Sequence, residues 1–169
     1  MSNLLIVKPS IEYQDLYLDM CYDYINHDDP EYSYKTLEEV QKKIQSDHDY
    51  ETGNIPENRL KAYSFWFIFN KKIVGTSRLR TQLKKRFELV GGHIGYDVRP
   101  SNRKMGLGTK ILGLTLVEAK KIGLTEVLIT CDDSNMGSYR VIENNNGIFI
   151  NVVHDEIDKE KVRRYRIEL

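Results

Sequence analysis

The chain has 169 residues, of which 40% are hydrophobic and 30% charged, with 25 Lys+Arg balanced by 25 Asp+Glu. The zero net charge excludes a global basic field of the kind that draws nucleic acid, and the composition excludes disordered and fibrous classes. The length suits one domain, residues 1–169, able to bury roughly 70% of the surface its unfolded form exposes. The longest apolar run, residues 65–69, is far short of a membrane span, so no membrane partner is expected. Residues 1–10, MSNLLIVKPS, show neither the basic segment nor the long apolar core of a signal peptide. Cys21 and Cys131 stand far apart and are expected as free thiols in a reducing cytoplasm. The four histidines are scattered and no Cys/His spacing fits zinc, so no metal is expected.

Residues 4–8 form a short apolar run stopped by Pro9 and read as a first strand. From Ile11 the pattern turns helical, with Ser10 as its candidate cap. His27-Asp28-Asp29-Pro30 breaks that helix. A second opens at Thr36, where Thr36 and Glu39 stand at capping-box spacing and Leu37, Val40 and Ile44 form a stripe. Residues 46–59 are polar, contain Gly53 and Pro56, and predict a long loop. Residues 63–69, aromatic and continuous, predict a strand buried on both faces. Asn70-Lys71-Lys72 turns the chain into a partner strand at 73–79, an antiparallel hairpin.

Residues 87–98 predict the next long strand, interrupted at Gly91, Gly92 and Gly95, where bulges or close approach by another backbone are expected. Arg99-Pro100 closes it, and an amphipathic helix follows over 105–122, stopped by Gly123. EVLITC at 126–131 predicts a short buried strand, 135–145 a short helix, and 148–154 and 161–169 two final strands. The order β-α-α-β-β-β-α-β-α-β-β predicts an α/β (α+β) fold. Its centre is a mixed, mostly antiparallel sheet of about seven strands with helices on both faces.

The segment richest in chemistry is Arg103-Lys104-Met105-Gly106-Leu107-Gly108-Thr109, between a strand and an amphipathic helix. Gly106 and Gly108 remove side chains where a backbone must turn and a ligand approach. A helix N-terminus offers unpaired N–H groups and partial positive charge, and Arg103 and Lys104 add full charges. These features suit a pyrophosphate, although a basic glycine-rich turn with no ligand fits the same seven residues. The spacing matches neither the P-loop nor the dinucleotide fingerprint, since Gly106-x-Gly108 is followed by Ile111 where the latter needs glycine.

Arg103-x-x-Gly106-x-Gly108, close behind Val98-Arg99-Pro100, resembles the Arg/Gln-x-x-Gly-x-Gly/Ala acyl-CoA signature of the GNAT acetyltransferases. The predicted element order is similar to that of the family along the whole chain. A closer resemblance is to a bacterial subgroup with GGHIGYxVRP, here residues 91–100, and LITCDxxN followed by Ser and Val-Ile-Glu, here residues 128–143. The resemblance implies acetyl-CoA as co-substrate, its pyrophosphate on the loop from Arg103 through Lys104, Met105, Gly106, Leu107 and Gly108 to Thr109. It implies a pantetheine arm lying like an extra strand between the strands that end at Val98 and Cys131. Tyr96 and Val98 would pair with that arm, and the Val98 N–H would polarise the thioester carbonyl. Asn135 would anchor the arm, with Ser138 nearby, while a helix N-cap explains Asn135 equally well.

In this family a tyrosine seven residues beyond the asparagine often protonates the departing thiolate. Here that position is Ile142, and Tyr139, one turn earlier, is the substitute candidate. For the base, strand alternation sets His93, Gly95 and Asp97 on one face. His93 has an ordinary pKa suited to base chemistry near neutrality. Glu88 stands where some family members keep a carboxylate base. Each has a plain structural alternative: a bonded strand histidine, a packed tyrosine, a hairpin-tip glutamate.

Acceptor selection falls to the first two helices and the hairpin loops. The acidic segment 27–31, with Tyr13, Tyr17, Tyr22, Tyr24, Tyr32 and Tyr34, suits a cationic amine or simply covers a helix face. Arg78 and Arg80 share a strand face, either meeting an acceptor carboxylate or lying in solvent. The expected activity is transfer of an acetyl group to a primary amine of a small molecule by direct attack in a ternary complex. Two alternatives stand beside it: a protein or peptide N-terminal or lysine acetyltransferase, and a non-catalytic acyl-CoA-binding module. An exposed final strand is the expected route to a homodimer by sheet extension.

Overall fold

In a computed structural model, which describes residues 4–157 and 159–169, the chain builds two antiparallel sheets. The first runs β1 (Leu5–Val7), β2 (Ala62–Phe69), β3 (Lys72–Arg80), β4 (Ile94–Val98), neighbours in that order. Between β1 and β2 lie α1 (Gln14–Asn26), entered through a 3-10 turn at Ile11–Tyr13, and α2 (Leu37–Thr52). A short α3 (Lys85–Leu89) precedes β4. Then α4 (Leu107–Lys121) crosses to β5 (Glu126–Asp132), followed by α5 (Met136–Glu143), β6 (Ile148–His154) and β7 (Lys161–Glu168). The second sheet has the order β5-β7-β6.

The expected element order holds, with α3 added, but the single mixed sheet resolves into a four-stranded and a three-stranded antiparallel sheet. The predicted strand over 87–98 begins only at Ile94. Lys85–Leu89 is helical, and Gly91 and Gly92 turn at φ +104° and +58°. Gly92 has the close backbone approach its residue type suggests: a Cβ there would collide with the Leu128 carbonyl. The predicted loop over 46–59 is helical as far as Thr52. Its polar residues have partners, since buried Asp47 pairs with Lys43 and accepts a 2.9 Å bond from Ser64 Oγ. Gly53, at φ +86°, ends that helix. The Thr36/Glu39 capping box is made, whereas Ser10 caps nothing with its side chain. The final strand is no edge, because β7 pairs with both β5 and β6; the free edge belongs to β6. No helix among the described residues is long and apolar enough to cross a membrane.

Two apolar clusters sandwich the first sheet. One face of β2 and β3 joins α4, β5 and β7 through Phe65, Phe67, Leu79, Ile111, Val127 and Tyr165. The opposite face carries Trp66 and Ile73 against Tyr17, Met20 and Tyr24 of α1 and Val40 of α2. Thr115, inside α4, satisfies its buried hydroxyl on Ser77 Oγ at 2.8 Å.

Hydrogen bonding sets the orientation of β4. Arg80 N donates to the His93 carbonyl and Arg99 N to that of Val74. In an antiparallel ladder this alternation turns the odd-numbered β4 residues toward β3. The N–H and C=O groups of Tyr96 and Val98 therefore face the other way, toward β5. The two sheets meet there at one point. His93 N donates to the Leu128 carbonyl at 2.7 Å, and Leu128 N donates to His93 Nδ1 at 2.9 Å. Gly91 N adds a bond to Thr130 Oγ1 at 2.8 Å. The imidazole stands where a β4 carbonyl would continue the pairing, and past it the strands fork.

Burial lowers the His93 pKa below its ordinary 6.5, and Nδ1 accepts only when unprotonated. The unfolded chain binds the proton more readily, so this contribution is complete above about pH 6.5 and is lost as pH falls through the native pKa. Thermal unfolding between about pH 8 and about pH 5 should show a steeper acid-side loss for the wild type than for His93→Gln, whose amide oxygen accepts at every pH. His93→Ala, which orphans the Leu128 N–H, should cost about 1–3 kcal/mol by denaturant titration. At Gly75 a Cβ would overlap the Asp97 carbonyl and lie 2.6 Å from Ile111 Cδ1. Gly75→Ala should cost about 1–3 kcal/mol by the same titration.

Candidate active site

Beyond β4 the chain is tied down before it reaches α4. Arg99 is buried and faces Asp19 Oδ2 at 2.7 Å and Asp23 Oδ2 at 3.3 Å, both from α1. A 3-10 turn at Pro100–Asn102 follows, with Ser101 N donating to Asp23 Oδ2 at 3.0 Å. Arg103 does not extend freely toward solvent. Its Nε donates to the Val98 carbonyl at 3.1 Å and its Nη2 to Asp29 Oδ2 at 2.8 Å. Lys104 has no side-chain partner among the described residues. It and Gly106 take positive φ, +63° and +74°, which swings the chain into the start of α4. No side chain caps that helix, so the first-turn N–H groups face outward unpaired. Gly108 lies within a methyl's reach of Val98 and Val141, which lets β4, α4 and α5 converge.

These elements enclose a cavity of about 500 Å³. Tyr96 and Val98 of β4, Arg103, Lys104, Gly106, Leu107, Gly108 and Thr109, and Asn135 and Ser138 all line it. Of the predicted cofactor-binding residues only Met105 stands outside, its side chain exposed. Asn135 Oδ1 caps α5 by accepting from Ser138 N at 2.9 Å. Ser138 Oγ lies 2.9 Å from the Tyr96 hydroxyl, whose pKa burial pushes up to about 12. A further cavity of about 310 Å³ occupies the fork, between Tyr96 of β4 and Cys131 and Asp132 of β5.

A separate cavity of about 390 Å³ opens on the other side of β4, toward α1 and α2. Tyr17, Tyr34 and Trp66 wall it, the Tyr17 and Trp66 rings stacked at 4.3 Å. Asp97 lies in its floor. The Tyr32 hydroxyl donates to Asp97 Oδ2 at 2.8 Å and lies 2.7 Å from Thr76 Oγ1. Burial raises the Asp97 pKa above the ordinary 3.8, partly offset by the Tyr32 bond and by Arg103. Burial, then the Asp97 charge, raises Glu31 in the same lining. Tyr96 and Asp97 line both this cavity and the one beneath α4, so the two spaces adjoin across a single strand.

The predicted catalytic residues are not brought together. His93 is at the vertex of the fork with Nδ1 engaged. Glu88 is exposed on α3. Tyr139 packs its ring against the Arg163 guanidinium at 4.7 Å and lines none of these cavities. Ile142 is fully buried in the main core. Asp97 is the acid that sequence reasoning passed over. The available signal was the alternation that set it on the face of His93, four residues nearer the opening of the fork. Among the described residues no three His, Cys, Asp or Glu side chains are grouped to hold a metal ion.

The model of the acetyltransferase (GNAT) domain family matches residues 4–147. No curated protein sequence matches the chain. Among solved structures, the ribosomal L7/L12 alpha-N-protein acetyltransferase RimL in complex with coenzyme A is similar at a TM-score of 0.75. It is 15% identical, over 98% of this chain and 94% of that one. The microcin C7 self-immunity acetyltransferase MccE, in complex with acetyl-CoA and AMP, also scores 0.75, at 13% identity over 98% and 92%. The ribosomal-protein-S5-alanine acetyltransferase from Vibrio fischeri scores 0.73, at 15% identity over 99% and 96%. With the family model spanning most of its length and the fold shared end to end, the chain belongs to the GNAT acetyltransferases.

Proposed function

We propose that the protein is an acetyl-CoA-dependent N-acetyltransferase that binds its donor beneath α4 and a small primary amine in the cavity across β4. One observation carries this reading: two chemically different cavities adjoin at Tyr96 and Asp97. The first has a helix N-terminus, a free ammonium and outward N–H groups, which suit a pyrophosphate. The second has aromatic walls and a half-buried aspartate, which suit a cation. Residues 1–169 act as one acyl-CoA N-acyltransferase domain. The buried free thiols of Cys21 and Cys131 suit the reducing cytoplasm.

Acetyl-CoA would supply the acetyl group as a thioester. Lys104 and the N–H groups of Leu107, Gly108 and Thr109 hold its phosphates. The edge groups of Tyr96 pair with the pantetheine arm, and the Val98 N–H, whose own carbonyl is held by Arg103 and Tyr24, donates to the thioester carbonyl oxygen. Arg103 serves by fixing the Val98 carbonyl and Asp29 rather than by gripping phosphate. Asp97 takes the proton from the incoming ammonium, its raised pKa matching it better to that task than an ordinary aspartate. Ser138, backed by the Tyr96 hydroxyl, donates to the departing thiolate. A protein N-terminus is the second reading, favoured by the similarity to enzymes that act on ribosomal proteins.

Calorimetric titration should show acetyl-CoA binding, with NAD and ATP giving none. Lys104→Glu should weaken that binding about tenfold or more without lowering the melting temperature. Failure of the folded protein to bind acetyl-CoA overturns the reading. In a thiol-release assay over amines and short peptides, Asp97→Asn should cut kcat about 100-fold or more while acetyl-CoA affinity stays unchanged. The wild-type rate should rise with pH as Asp97 ionises. An Asp97→Asn enzyme of wild-type kcat assigns the base elsewhere.

A further inference from the structure

Among the described residues two guanidinium groups in the cavity across β4 have no counter-ion, and we infer that the acceptor supplies it: the amine being acetylated carries a carboxylate. This rests on the reading of that cavity as the acceptor site.

Arg78 and Arg80 project from one face of β3 and both line the cavity. Elsewhere several arginines are answered by acids. Arg99 faces Asp19 and Asp23, Arg103 faces Asp29, and Arg163 faces Asp133. Among the described residues no carboxylate lies within ion-pair distance of Arg78 or Arg80. Aromatic rings hold them instead. The Arg78 guanidinium lies 4.0 Å from the Tyr50 ring centre and that of Arg80 4.4 Å from Phe87. Arg80 Nη1 also donates to the Gly92 carbonyl at 3.2 Å. Stacking fixes the plane of a guanidinium and leaves its N–H edge free for a planar anion.

Neither group is simply solvated, for both are half-buried. Burial, and then the like charge of Arg78, lowers the Arg80 pKa. An uncompensated charge pair in such a place is costly, and an arriving anion relieves it. The remaining cation of the lining, Lys43, is already paired with Asp47.

Register supplies the spacing. Arg78 stands opposite Gly95, and Asp97 is two residues further along β4. Arg78 and Asp97 are therefore diagonal neighbours on one face, about 7–8 Å apart at the backbone. Gly95 leaves open space between them. A molecule with its amine at Asp97 and its carboxylate at Arg78 and Arg80 fits this geometry, and a free amino acid has both groups at short range.

The test is thiol release from acetyl-CoA over matched acceptors: amino acids, their carboxamides, and short peptides with and without an acidic second residue. Amino acids should exceed their carboxamides about tenfold or more in kcat/KM. In Arg78→Gln and Arg80→Gln that preference should collapse, with acetyl-CoA affinity unchanged. Carboxamides or simple amines used as well as amino acids, whatever stands at 78 and 80, would overturn the inference and leave the acetyltransferase reading intact. Turnover confined to acidic peptides, with the same arginine dependence, keeps the carboxylate and overturns the free amino acid as its source. Acetyl-CoA binding with no acceptor turned over overturns the acceptor-site assignment itself, and this inference with it.

Discussion

The architecture turns on one short contact, where β4 leaves β5 after a single backbone hydrogen bond. His93 N reaches the Leu128 carbonyl, and the next donor on β5, Leu128 N, is taken by an imidazole nitrogen in place of a carbonyl. A continuing ladder would have satisfied the edge groups of Tyr96 and Val98 and closed the fork. Because it stops, two sheets that could have fused keep a wedge between them, the cavity of about 310 Å³ at the fork. The strand thus has one side paired with β3 and no strand paired along the other. Backbone edges of this kind are normally paired or covered. Here the exposed edge is short, recessed and flanked by α4 and α5.

The same strand end also couples the two cavities. The Val98 carbonyl receives both Tyr24 from α1 and Arg103 from the glycine loop. Arg103 in turn holds Asp29, two residues before Glu31 and three before Tyr32, which touches Asp97. Arg99 anchors the arrangement from below, buried between two aspartates. The energies differ in kind. The half-exposed Arg103–Asp29 pair contributes about 0–1 kcal/mol and acts as a latch. Arg99 is different, because removing its partners would strand a buried charge at a cost of about 3–5 kcal/mol. Rigidity is placed under the site and compliance at its rim.

How much of this was legible in the amino-acid sequence depended on whether the signal was local. The hairpin of β2 and β3, the capping box at Thr36, the helix after Gly106 and the two final strands follow from periodicity and turn residues. The clustering of the glycine loop with Tyr96, Val98, Asn135 and Ser138 was legible only through the resemblance to the GNAT acetyltransferases, since no local pattern links these element ends. The failures are tertiary. Residues 46–52 read as loop because their helix is stabilised by contacts such as Asp47 with Ser64, seventeen residues away. Residues 87–93 read as strand because nothing local shows that Gly92 must pass against Leu128. His93 carried the residue type of a base but occupies a fork vertex. Asp97, with no motif of its own, gains its character from burial beside a tyrosine that lies 65 residues earlier.

The order of strands in the second sheet has a consequence for how the protein comes to exist. β7 lies between β5 and β6, yet it is encoded after both. During synthesis β5 emerges with only the Gly91 and His93 contacts available on one side and no strand on the other. β6 emerges next, its Ile148, Phe149, Ile150 and Val152 still largely exposed even in the finished fold. Neither strand has its proper neighbour until some thirty further residues have followed β5, so the nascent chain carries a sticky half-sheet for that interval. The first sheet and its two helices, complete earlier in the chain, form the platform on which that half waits.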